Sequence, residues 1–359
     1  MQLSFRQKNK LTKLCVMVCI SCIVGGVFSY YTGNARQAFE SFRQGVSDSF
    51  FVSLFLGYYI FFLSRGTFFK RYSFISIVSI NTVIYLILFL LGRLIGQVVL
   101  NDFEKAIESF FVDENLYLSI GLAFLSCFII SFILQVGRLT GQNVLKNFIA
   151  GTYHQPKEEE RFFMFLDVKS STHIAEEIGH EQFHSFLNYF FYDLTEAILE
   201  TEGEIYKYAG DEVIISWKKK KGIKNCNCLR CFFLIEEQIS LNVNEYIKRF
   251  EVFPEFRAGL HFGMATVGEL GDIKQEIAFL GDTLNTTARI TDYCSEKKKK
   301  YIVSDQVIKL IQSPGEYIFE DMGLFQPRGK QKSVQVSSVT KKQLNENQVK
   351  KNVTTTAQQ

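Results

Sequence analysis

Four apolar runs dominate the first 137 residues, at about 12–31, 49–69, 73–95 and 116–136. Each is close to the ~20 residues that a helix needs to cross a bilayer. In hydrocarbon, backbone N–H and C=O groups must be satisfied inside the segment, so runs of this length are expected to be helices. The first run, "LCVMVCISCIVGGVFSYY", has the length of a signal peptide. It lacks a small-x-small cleavage site and three further runs follow it, so it reads as an anchor.

Basic residues orient these spans. Arg6, Lys8, Lys10 and Lys13 precede the first, Arg65, Lys70 and Arg71 lie between the second and third, and Arg138 and Lys146 follow the fourth. The segment between the third and fourth, "NDFEKAIESFFVDEN", is mostly acidic. By the positive-inside rule both termini are cytoplasmic, giving a multi-pass protein of the cell (inner) membrane in contact with lipid. The remaining residues then face the compartment that holds nucleotides and Mg2+. "GRLIGQVVLNDF" (92–103) and "GRLTGQNVLKNF" (137–148) share eight of twelve positions. Both carry small-xxx-small spacing, which is either coincidence in apolar sequence or a pair of helix-packing sites.

The 359 residues leave room for two or three domains. A net charge of +3 is too small to argue for a nucleic-acid partner, and none is expected. Among eight cysteines, Cys226, Cys228 and Cys231 form C-x-C-x-x-C, but no second Cys/His pair lies at zinc-site spacing. A reduced setting fits the C-terminal half better than a disulfide framework.

That half alternates strand and helix signals. "RFFMFLDV" (161–168) reads as a buried strand, followed by a long helical stretch from His173 to Thr201. "EIYKY" and "EVIISW" are strands around the turn Gly210-Asp211, a second helical stretch runs from Leu229 to Phe250, and "FRAGLHFG" is a further strand. The order βαββαβ is the α+β ferredoxin-like arrangement. In it the first and third strands are antiparallel neighbours, so Asp167, at the end of one, meets Asp211, at the start of the other. Two adjacent carboxylates require a proton or a cation between them, and Mg2+ suits such oxygen ligands. Further on, "FLGDTLNTTARI" starts a helix near Asp282, with Asn285 and Arg289 on one face.

Residues 160–340 resemble the catalytic domain of class III nucleotide cyclases, the adenylate and guanylate cyclases. The pieces that carry the resemblance are "FLDVKSST", "YKYAGDEV", "FRAGLHFGMATVGELG" and "LGDTLNTTAR". It implies a membrane-bound adenylate cyclase that converts ATP to 3′,5′-cyclic AMP and pyrophosphate with two Mg2+ (or Mn2+) ions per site. Asp167 and Asp211 match the metal-binding aspartates, with the Val168 carbonyl beside the second metal. Lys207 matches the residue that reads adenine, Asn285 the one that orients the ribose, and Arg289 the one that stabilises charge on the reacting phosphate. Arg328 matches the residue that grips the triphosphate. Ser170, Ser171 and Thr172 would present backbone N–H groups to phosphates. The metal pair and the Lys/Asn/Arg set usually come from different subunits, which implies a homodimer.

Two departures stand out. "SST" replaces the family's usual "GFT", and Ala278 occupies a position that often hydrogen-bonds the base. Selection of ATP then rests on Lys207, and a guanylate or mixed-specificity cyclase is the alternative. Less favoured readings are a diguanylate cyclase (from "YAGDEV"), a membrane zinc protease (from "HEQFH", 180–184) and a non-catalytic receptor with a cyclase fold. The expected organisation is a four-helix membrane domain (1–137), a helical signalling linker (138–160), a catalytic domain (161–340) and a disordered tail (341–359).

Overall fold

The computed structural model describes residues 5–32, 38–63, 72–100, 103, 116–140, 147, 150–273, 275–311, 315–326 and 333–342. The chain divides at Gly151/Thr152 into two compact units.

The first unit contains α1 (Phe5–Thr32), α2 (Ala38–Tyr58, continued as a π-helical turn over Tyr59–Leu63), α3 (Phe74–Leu100) and α4 (Leu116–Thr140). All four are long and apolar enough to cross a membrane. The second begins at Ala38 rather than near residue 49. Its polar first turns are helical because they pack on α1 through small residues: a Cβ on Gly45 would lie 2.5 Å from the Gly25 carbonyl oxygen. The first copy of the repeated segment is a helix-packing site. A Cβ on Gly92 would stand 2.7 Å from the Val52 Cα and one on Gly96 2.8 Å from the Asp48 Cα, so these two glycines let α3 close on α2. Ser47 Oγ donates to Gly96 O at 3.0 Å and Tyr59 Oη to Asn81 Oδ1 at 2.8 Å, tying the same pair of helices. In the second copy, residues 141–146 and 148 lie outside the described residues, as do 141–146, 148 and 149 of the expected linker.

The second unit is built on an eight-stranded sheet. Its strands are β1 (Lys157–Val168), β2 (Glu204–Ala209), β3 (Glu212–Lys218), β4 (Phe256–Leu270), β5 (Glu276–Leu280), β6 (Tyr301–Ser304), β7 (Tyr317–Phe325) and β8 (Val334–Lys341). The order is β2-β3-β1-β4-β6-β8-β7, with β5 paired to β4. The first four strands in that order are the expected ferredoxin-like core. Helices α5 (Ser171–Ile178), α6 (His180–Glu200), α7 (Asn227–Leu241), α8 (Val243–Phe250), α9 (Asp282–Glu296) and α10 (Asp305–Ile311), with two short helical turns over Lys219–Ile223 and Lys224–Cys226, complete the unit.

Period-two alternation on β1 feeds two cores. Phe162, Met164 and Leu166 pack with Trp217 of β3, Phe186 and Phe190 of α6 and Phe232 of α7. Phe163 and Phe165 face the other way, toward Ile214, Phe279 and Leu284. Full burial of each such side chain contributes roughly 1.5–3 kcal/mol. The close seat of α9 comes from Gly259, where a Cβ would lie 2.7 Å from Thr291 N.

Two expectations change. The strand β1 begins at Lys157, so residues 157–160 are not linker helix. Pro156 interrupts a helix arriving from the N-terminal side, and Lys157–Glu160 pair in register with Glu160↔Met264 through Lys157↔Val267 on β4. The first long helix is broken at Gly179, which has φ +82°, and the second at Asn242. The C-x-C-x-x-C cysteines form no metal cluster among the described residues. Cys228 and Cys231 are fully buried in the core as small hydrophobes.

Candidate active site

β1 lies between β3 and β4, antiparallel to both, and this arrangement assembles the site. At its C-terminal end Asp167 has Glu212 of β3 as its Cα partner on one side and Arg257 of β4 on the other. Asp211 occupies the turn just before β3, and its carboxyl stands close enough to that of Asp167 to push the Asp167 carboxyl up. The two aspartates named by the sequence are therefore in contact at one sheet edge. Burial, then the Asp211 charge, push the Asp167 carboxyl up to about 6, while Arg257 works against them. Arg257 donates to Asp167 Oδ2 at 2.6 Å and to Ser295 Oγ at 2.7 Å. Glu212 is pushed up to about 7, first by burial and then by Asp167, Asp211 and Asp292.

Arg257 and Glu212 were missed by sequence reasoning. The ferredoxin-like order held the signal for both, since it also sets the start of β4 beside the end of β1. The donor set fits a divalent cation: two hard carboxylates that resist joint ionisation, beside the Val168 backbone.

The segment after β1 turns sharply. Ser170 adopts φ 54°, in the left-handed region, at the place where the family has glycine. Ser170 O accepts from Ile174 N at 3.0 Å, and α5 begins at Ser171. The first-turn N–H groups, those of Ser171 and Thr172 among them, have no intrahelical acceptor, which suits an anion.

Lys207 is exposed on β2, directly across from Ile214. Its neighbour Tyr206 accepts a hydrogen bond at Oη from Phe279 N at 3.2 Å, so β2 is tied to β5, which carries the buried Ala278. Asn285 and Arg289 are exposed on one face of α9. Arg289 is ion-paired at 3.1 Å with Asp292 of the same helix. Among the described residues, Lys207, Asn285 and Arg289 make no hydrogen bond or ion pair with either aspartate. Arg328 lies outside the described residues.

The H-E-x-x-H residues form no metal site among the described residues. His180 and His184 stand exposed in the first turns of α6, and His184 Nδ1 is 3.1 Å from Asn188 Nδ2.

A buried cation, also absent from the sequence reading, braces the opposite end of β1. Arg161 is 1% exposed, with Glu159 at 2.8 Å, Glu204 at 2.5 Å and Ser216 Oγ at 3.0 Å. Its guanidinium stacks 4.8 Å from the Phe279 ring, so it links β1, β2, β3 and β5.

Residues 153–340 match the family model described as adenylate and guanylate cyclase catalytic domain. Adenylate cyclase 2 of Rhizobium meliloti (strain 1021) is 32% identical over 211 residues, covering 59% of this chain and 58% of that protein. Adenylate cyclase 1 of the same organism is 25% identical over 182 residues, 49% of this chain and 27% of that protein. This chain thus spans a little over half of the first relative's length and about a quarter of the second's. A solved structure of a bacterial light-regulated adenylyl cyclase shares the fold, with a TM-score of 0.51 at 19% identity, over 63% of this chain and 68% of that one. With the match extending over more than half of its length, the chain belongs to the adenylate and guanylate cyclase catalytic domain family.

Proposed function

We propose that this protein is a membrane-anchored adenylate cyclase, working as a homodimer on ATP with two Mg2+ or Mn2+ ions per site. The observation that carries the reading is the contact between Asp167 and Asp211, whose carboxyl groups resist ionising together. The four apolar helices support the anchor, with both termini cytoplasmic as the basic residues imply.

Asp167 and Asp211, with the Val168 carbonyl, would hold the metal ions. When bound, the ions activate the 3′-hydroxyl and neutralise charge on pyrophosphate. The 3′-oxygen attacks the α-phosphorus, the bond to the β-phosphate oxygen breaks, pyrophosphate leaves, and the hydroxyl proton passes to solvent. Asn285 orients the ribose. Arg289 meets the negative charge that builds up at the phosphate, exchanging its Asp292 partner for it. Arg328 grips the triphosphate, and the N–H groups at Ser170, Ser171 and Thr172 cradle phosphate oxygens.

The split between the aspartate pair and the Asn285/Arg289 face supports a shared site, completed by a second copy. Met264, Leu270 and Leu280, exposed apolar residues on the β4–β5 hairpin, suit such a contact. Lys207 reads adenine. Because Ala278 has no polar group for the base, a mixed ATP/GTP preference is the second reading.

Product analysis of the full-length protein with ATP and with GTP, under Mg2+ and Mn2+, tests the assignment. Cyclic AMP as the main product is expected. No cyclic nucleotide from either substrate would overturn it.

A further inference from the structure

The helices of the membrane unit pack in chain order, α1 on α2, α2 on α3 and α3 on α4. No comparable interface joins α4 to α1 among the described residues. A cavity of about 590 Å³ occupies the space between them. Val24 and Phe28 of α1 and Ile130 of α4 line its exposed mouth. Ser53 of α2, Tyr85 of α3 and Cys127 of α4 form a floor that is almost fully closed.

The dimensions select the occupant. The α1 lining runs from Met17 to Phe28, a height of ~16 Å at ~1.5 Å per residue. A single extended hydrocarbon chain fits along that height, lying in the groove with one side toward the bilayer. The volume also falls within the ~300–1,000 Å³ of small-ligand sites, which are lined mainly by apolar groups.

Charge completes the match. Lys13 is exposed one helical turn below Met17, on the same face of α1, at the end of the cavity that the basic residues assign to the cytoplasm. Lys10, one turn lower, lies 5.4 Å from the Phe62 ring of α2. An anionic head at Lys13 places its chain alongside Met17 and up toward Phe28. The Ser53 hydroxyl already gives its proton to Ser49 O at 2.6 Å, so toward the cavity it offers only lone pairs.

We propose that the membrane unit has a binding site for a single-chain anionic amphiphile, a long-chain fatty acid, with its carboxylate at Lys13 and its chain in the cavity between α1 and α4.

The test uses full-length protein in phosphatidylcholine nanodiscs, a photoreactive palmitic acid and mass-spectrometric mapping. Saturable labelling at Tyr85 and Cys127 is expected, competed by unlabelled oleic acid. Ile130→Trp and Val24→Trp, both at the exposed mouth, should each weaken apparent affinity at least tenfold. Lys13→Glu should weaken competition by oleic acid about tenfold while leaving that by oleyl alcohol unchanged. Any of three results would overturn the proposal: labelling that does not saturate and spreads over outward residues such as Leu122 and Ile133, floor labelling by photoreactive phosphatidylcholine that oleic acid fails to displace, or a disulfide between Cys127 of one copy and Cys19 of another, which would put a second copy's helix in the cavity.

Discussion

Asp167 sits between a cation and an anion supplied by its two neighbouring strands: Arg257 of β4 donates to it at 2.6 Å, and Asp211 meets it from the turn before β3. Arg257 offsets part of the repulsion between the aspartates and leaves the remainder for a proton or a divalent cation to neutralise. Glu212, the Cα partner of Asp167, adds to the same unfavourable charge.

This arrangement sets a pH dependence for the metal-free protein. Asp167 is raised from 3.8 to about 6 and Glu212 from 4.5 to about 7, so the fold binds both protons more tightly than the unfolded chain does. The stability they contribute is fully present below the unfolded values and is lost as pH rises through the folded ones. Tm of metal-free protein should therefore fall between about pH 4 and about pH 8, by ~2–4 °C for each kcal/mol lost. Mn2+ at the upper pH should recover most of that loss. A Tm unaffected by pH and by Mn2+ would count against the carboxylate cluster as a cation site.

Asp211→Asn should separate stability from activity. Removing one of two repelling charges is expected to raise the metal-free Tm near neutral pH. Cyclic nucleotide formation should disappear, because one carboxylate does not hold a pair of metal ions. Calorimetry and product assays on the same preparation check both halves.

Asp211→Ala and Arg289→Ala chains should each be inactive alone and complement each other when co-expressed. Every mixed dimer keeps one intact shared site, so random pairing gives roughly a quarter of wild-type activity. Mixed dimers that form but show no recovery would mean that each chain builds its own site.

Lys207→Glu should lower kcat/KM for ATP by roughly ten- to hundredfold, the equivalent of one base contact left unpaired, ~1–3 kcal/mol. It should not create an efficient guanylate cyclase, since Ala278 has no polar side-chain group to offer guanine. An unchanged ATP/GTP ratio would remove Lys207 from base recognition.

Arg161→Met should destabilise the catalytic unit by ~3 kcal/mol or more, because Glu159 and Glu204 lose the buried cation between them. Denaturant unfolding followed by the fluorescence of Trp217, the chain's one tryptophan, reads this directly. Wild-type stability in the variant would show that the network is dispensable.

Local pattern carried most of the architecture. The apolar runs determined four membrane-length helices, and alternating strand and helix signals determined the βαββαβ core, because both depend on residues a few positions apart. The core order in turn predicted the Asp167–Asp211 contact, since antiparallel neighbours bring the end of one strand to the start of the next. The role of Gly92 and Gly96 stayed open in the sequence because small-xxx-small spacing says nothing about what lies opposite; α2, with Val52 and Asp48, decided it. Arg161 looked like an ordinary strand residue. Its burial required Glu204 and Ser216, about 40 and 55 positions away, to converge on it. The raised carboxyl groups of Asp167 and Glu212 likewise arise from burial and from charges brought together from distant positions, Asp211 for the first and Asp167, Asp211 and Asp292 for the second. Periodicity is a property of neighbours along the chain, whereas burial and charge coupling depend on register between distant strands, which only the assembled sheet defines.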